Sequence, residues 1–75
     1  MTTLTVGTKV RYNGDVANHP KKGTVIEVEE MNKWTGMPSY KIQFEDDEAI
    51  WAEHRGFIEH NGRLVYEVIR KERLI

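Results

Sequence analysis

Cysteine is absent from the chain, which excludes disulfides, thiolate zinc sites, iron–sulfur clusters and cysteine nucleophiles. Serine occurs once, as Ser39, without a neighbouring histidine or a glycine elbow, so no nucleophilic triad is legible. No glycine-rich phosphate loop is present, and no apolar run approaches the ~20 residues needed to cross a bilayer. An excess of one charge is also missing. Eleven basic and 12 acidic side chains leave a formal charge of −1, which argues against holding nucleic acid mainly by bulk electrostatics. The opening Met1-Thr2-Thr3-Leu4-Thr5 lacks the basic start and apolar core of a signal peptide. The expectation is a cytoplasmic, soluble protein without membrane association.

What is there is 75 residues, 39% hydrophobic and 31% charged, enough for one domain over 1–75. A domain of this size removes only about 60% of its unfolded-chain surface from water, so its stability is small. Period two dominates. Thr8-Lys9-Val10-Arg11-Tyr12 alternates, with Val10 and Tyr12 on one face and the cations on the other. After the turn chemistry of Asn13-Gly14-Asp15, an open loop runs to Pro20-Lys21-Lys22. Gly23 opens Thr24-Val25-Ile26-Glu27-Val28-Glu29-Glu30, read with Ile26 and Val28 on one face, and residues 32–38 form a second loop. Tyr40, Ile42 and Phe44 then alternate with Lys41, Gln43 and Glu45 as a half-buried antiparallel strand.

Residues 46–56 admit two readings. As a short helix at 47–55 they have an acidic first turn, a basic last turn and Gly56 at the C-terminus. As a hairpin they turn at Glu45-Asp46-Asp47-Glu48 and return along Ala49 to Ala52. The apolar residues are contiguous rather than spaced by three and four, which favours the hairpin. Further on, Asn61-Gly62 between Phe57-Ile58-Glu59-His60 and Arg63-Leu64-Val65-Tyr66-Glu67-Val68-Ile69 signals a type I′ turn. Arg70-Lys71-Glu72 reads as one helical turn, after which Leu74 and Ile75 could close the sheet. The expected fold is mainly β: a small antiparallel barrel of five to six strands with an extra C-terminal hairpin. Its expected core is Val10, Tyr12, Ile26, Val28, Tyr40, Ile42, Phe44, Trp51, Ile58, Val65 and Val68. On that reading, Trp51→Ala is a core truncation costing ~3–5 kcal/mol.

Two stretches resemble the SH3-like small barrels of the Tudor and KOW kind. Val6-Gly7-Thr8-Lys9-Val10-Arg11-Tyr12 with Gly23-Thr24-Val25-Ile26-Glu27-Val28 resembles their "G-x-x-V … G-x-V" opening. Tyr40 to Trp51 resembles their "Y-x-V-x-F-x-D-G" hairpin leading to a tryptophan. Together they span residues 6–52, with Asp47 where a hairpin glycine is usual. In such proteins the loop holding Trp34 borders the ligand groove, so the resemblance implies a contact role for Trp34.

Trp34 also stands out without the resemblance, because no periodicity assigns it a buried face. It is either a lid folded over the barrel end or a binding anchor, with Lys33, Met37 and Tyr12 completing the candidate partner surface. Lys21 and Lys22, with Arg70, Lys71 and Arg73, are candidate phosphate contacts. The acidic groups around Glu27 to Glu30 and Glu45 to Glu48 read as solvated surface. His19, His54 and His60 follow no metal-ligand spacing, so no metal site and no cofactor are expected.

The leading reading is a non-catalytic interaction module that binds a protein through a barrel edge and the Trp34 loop. The alternative is a nucleic-acid-associated accessory protein using its basic clusters. An oligomeric small-barrel reductase, as in plasmid-type dihydrofolate reductases, is a remote third, because that family's pore motif "V-Q-I-Y-P" is absent. Open strand edges also favour a homodimer, with apolar surface expected from Leu64 and Tyr66 or from Val65 and Ile69 of the extra hairpin.

Overall fold

The alternating segments before residue 53 become strands in the computed structural model, which describes residues 3–69. β1 (Lys9–Tyr12), β2 (Lys21–Glu29), β3 (Ser39–Phe44), β4 (Ala49–Glu53) and β5 (Tyr66–Val68) are joined by short loops, with a 3-10 turn at His54–Phe57. All pair antiparallel in the order β4-β3-β2-β1-β5. The sheet curls into a half-barrel that is 43% strand, the mainly β fold expected from the sequence. That shape is compatible with an SH3-like plan.

β2 is the central strand, but β3, whose alternation is the cleanest, supplies half of the core. Tyr40, Ile42 and Phe44 are buried, and with Val10, Val25 and Ala52 they make the core. Leu4, Tyr12, Val28, Ile50, Phe57 and Tyr66 pack around it. Between β3 and β4 the hairpin reading holds. Asp47 takes a left-handed φ of 68° where a glycine is usual, and the Asp46 side chain accepts the Glu48 backbone N–H at 3.2 Å. Among the described residues helix is confined to the turn that begins at His54, and 49–53 of the segment expected at 47–55 is strand.

Several expected core residues lie elsewhere. The register of β2 against β3 shifts between Val25 and Glu27. A bulge inserts one residue and exchanges the faces beyond it, so Val25 turns inward and Ile26 is 42% exposed. Trp51 sits opposite Lys41 on the outer face, while Ile50 and Ala52 face Ile42 and Tyr40. It is therefore 51% exposed and Ala52 fills its expected place. Ile58, Val65 and Val68 are also exposed. For Ile58 and Val65 the reason is that the arms expected around Asn61-Gly62 do not pair along their length. The turn itself forms, with φ of 53° and 78°, but only His60 and Arg63 bridge. β5 goes to β1 instead, placing Tyr66 opposite Tyr12. Val68 faces inward opposite Val10 but lies on an edge strand. The expected helical turn at Arg70-Lys71-Glu72 and the closing Leu74 and Ile75 lie outside the described residues.

His54, not expected inside, is 4% exposed. Its Nδ1 lies 2.6 Å from the Tyr40 hydroxyl, which also accepts the Leu4 backbone N–H at 3.2 Å. One phenol thus ties the chain before β1 to the segment after β4, which satisfies a buried imidazole at low cost.

Candidate functional site

Trp34 is 94% exposed, so the indole is not a lid over the barrel. It stands on the β2–β3 loop, whose shape is set by Asn32. The Asn32 side-chain carbonyl accepts the backbone N–H of Trp34 at 2.9 Å and of Thr35 at 3.3 Å. Its backbone carbonyl accepts Gly36 N–H at 2.8 Å, and its N–H donates to Met37 O at 2.9 Å. Asparagine suits this position because its short amide mimics a turn of backbone, and Gly36 supplies the positive φ of 70°. The Thr35 hydroxyl closes the loop by accepting Met37 N–H at 3.2 Å. Lys33 is exposed and Met37 half-buried. Met31, which the sequence reading passed over, is 71% exposed on the same loop. Its signal was the same as that of Trp34: a large apolar side chain without a periodic partner.

Tyr12 does not join this group. It pairs with Lys21 at the opposite end of β2 from Glu29, where the Trp34 loop begins. β2 has nine residues, and at ~3.3 Å per residue its two ends are roughly 25 Å apart. Tyr12 belongs instead to a small groove of about 190 Å³ with Tyr66, Phe44, Ile50, Lys21 and Glu48. The Tyr12 and Tyr66 rings are 5.5 Å apart, and Tyr66 stacks on Phe57 at 5.2 Å.

The Tyr12 hydroxyl donates to Asp15 at 2.8 Å. Asp15 also accepts the backbone N–H groups of Ala17 and Asn18, each at 2.8 Å. These bonds, Tyr12's foremost, hold the Asp15 carboxyl down to about 2, and the same contact raises Tyr12. A depressed carboxyl contributes fully above its unfolded pKa of ~3.9 and loses that contribution as pH falls through the folded value. The loop from Asn13 to Pro20 is therefore expected to loosen as pH falls from about 4 to about 2. Amide resonances of Ala17 and Asn18 report it. Native shifts and slow exchange persisting well below that range would contradict the assignment.

Lys21, one of the candidate phosphate contacts, is held in ion pairs with carboxylates of its own chain. Its ammonium bonds Asp46 at 3.0 Å and Glu48 at 2.9 Å and lies 4.5 Å from the Phe44 ring centre. Glu48, then Asp46, raise its pKa, and Lys21 lowers that of Asp46. Lys22 has a different neighbourhood. It stands directly opposite Arg11, and both lie on the outer face with Lys9, whose ammonium donates to Thr24 at 3.0 Å. Lys9 and Lys22 flank a shallow groove of about 500 Å³ whose apolar walls are Phe44 and Ile69. The alternation of β1 already carried Lys9 and Arg11, but their pairing with Lys22 needed the strand register. Arg70, Lys71 and Arg73 lie outside the described residues.

Among the described residues no three His, Asp or Glu side chains converge as metal ligands, and no helix is long and apolar enough to cross a membrane. No family model, curated protein or solved structure matches the chain.

Proposed function

We propose that the protein is a non-catalytic interaction module of the Tudor and KOW kind of small barrel, with the Trp34 loop as its anchor for a protein partner. The observation that carries this reading is an almost fully exposed indole on a loop held by backbone and side-chain hydrogen bonds. A loop already ordered gives up little conformational freedom on binding, and a tryptophan entering a pocket is a common energetic centre of an interface. Met31 is a second exposed apolar side chain on the same loop, and the exposed Lys33 adds a charge next to Trp34 in sequence.

Trp34→Ala is expected to leave the thermal melt within about 0.5 kcal/mol of wild type, as at an open surface site. It is also expected to lower retention of protein partners from nuclease-treated lysate by at least about tenfold, the effect of losing an interface anchor. Equal retention by the two proteins would overturn the reading, as would a variant that unfolds.

A second reading rests on the row of Lys9, Arg11 and Lys22 across β1 and β2. It supports contacts to nucleic-acid phosphates. Oligonucleotide binding at low ionic strength that weakens with salt and with Arg11→Gln would favour it over the protein-binding reading.

A further inference from the structure

Asn-Gly occurs twice in the chain, as Asn13-Gly14 and Asn61-Gly62. The dipeptide is chemically reactive, because glycine leaves its own backbone nitrogen uncrowded and the chain around it free to rotate. That nitrogen can attack the side-chain carbonyl carbon of the preceding asparagine. Without structure the two dipeptides share this chemistry, but the fold treats them differently.

Asn13 is half-buried. Its side-chain amide donates to Leu64 O at 2.8 Å, and its backbone N–H donates to Val65 O at 2.9 Å. Gly14 is boxed in as well, since a Cβ on it would lie 2.9 Å from both Asn18 O and Pro20 N. Bringing the Gly14 nitrogen onto Asn13 Cγ needs rotation about the Cα–C and Cα–Cβ bonds of the asparagine. Those rotations break the bond to Leu64 and drive Gly14 against the backbone of its own loop.

Asn61-Gly62 has neither restraint. Both residues are exposed, and nothing lies within 4 Å of a Cβ placed on Gly62. The turn is closed by its flanking residues: His60 N–H donates to Arg63 O at 2.8 Å, and Arg63 N–H donates to His60 O at 3.0 Å. That leaves the Asn61 amide and the Gly62 N–H without a hydrogen-bond partner among the described residues. Only the bridge between His60 and Arg63 opposes the rotation.

We propose that Asn61 is a site of spontaneous deamidation and that the fold protects Asn13 from the same reaction. The Gly62 nitrogen bonds to Asn61 Cγ, and the Cγ–Nδ2 bond breaks. The displaced nitrogen leaves as ammonia with the proton of the Gly62 amide, and a succinimide remains. Water then opens either imide bond, giving aspartate or isoaspartate. Each product adds one negative charge to a chain whose formal charge is −1. Isoaspartate also lengthens the backbone of the turn that precedes Leu64 and Val65, the two residues Asn13 holds.

The full wild-type chain is incubated at mildly alkaline pH, either folded or in concentrated urea, and each asparagine is followed by peptide mass spectrometry. Trypsin separates the two sites, because Asn13 lies between Arg11 and Lys21 and Asn61 between Arg55 and Arg63. In the folded chain Asn61 is expected to convert at least about tenfold faster than Asn13, a difference that one protecting hydrogen bond can supply. In urea the two rates are expected to converge. Asn61→Ser is expected to remove most of the acidic form that isoelectric focusing resolves from the aged folded protein. An Asn61 that converts in urea but not in the folded chain would overturn the proposal, as would equal rates at the two sites in the folded chain. So would a difference that persists in urea, because flanking sequence rather than the fold would then set it.

Discussion

Tyr40→Ala is expected to abolish the folded state at ordinary temperature. The side chain is fully buried on β3, meets the Phe57 ring edge-on at 5.5 Å and lies 5.8 Å from the His54 ring. Removing a buried aromatic of this size costs ~3–5 kcal/mol. Domains in general hold only ~5–15 kcal/mol, and a chain this short is near the lower end. Tyr40→Phe separates the hydroxyl from the ring. Without the oxygen, the Leu4 N–H and His54 Nδ1 lose their shared partner, at ~1–3 kcal/mol for groups left unpaired in a buried place. Urea melts should show the midpoint falling for Tyr40→Phe at unchanged m. A neutral Tyr40→Phe would mean that the hydroxyl does not join those two segments.

Gly23→Ala should also be severe, for a reason unrelated to backbone freedom. Gly23 is buried in β2, between Val10 of β1 and Phe44 of β3. A Cβ there would come within 2.7 Å of Ile42 Cγ2, 2.8 Å of Phe44 Cδ1 and 2.9 Å of the Gln43 backbone oxygen. Two of those atoms belong to core side chains and one to the backbone of β3, so none moves without disturbing the sheet. Overpacking of this kind costs ~1–3 kcal/mol and occasionally more. The thermal midpoint of Gly23→Ala is expected to drop by several degrees or more. A wild-type melt would show that β2 and β3 are less closely packed here than the structure has them.

Trp51 changes category against these two. Its reading as core came from a correct hairpin combined with the wrong face. The opposite residue, Lys41, points outward from the sheet, and direct neighbours in a ladder share a face. Its substitution is therefore expected to leave the fold intact. Ile26 was misplaced by the same parity through a different cause, the bulge after Val25. Period-two reading assumes an unbroken strand, and one inserted residue reverses every face beyond it.

Local chemistry was enough for the features that depend on neighbours in sequence. The alternation of Tyr40, Ile42 and Phe44 specifies β3 and its buried face. Asn61-Gly62 supplies the two positive φ values of its turn, and the lack of a periodic partner leaves Trp34 in solvent. Tertiary structure decided whatever depends on which strand lies beside which. It matched Lys21 with Asp46 and Glu48, separated Tyr12 from Trp34 by the length of β2, and buried His54 against Tyr40. It also drew β5 to β1 rather than to the other arm of its own turn. The physical reason is the range of the interactions. Turn dihedrals and strand alternation are set within a few residues, whereas register, face and ion pairing across strands are chosen only when distant segments compete for the same core.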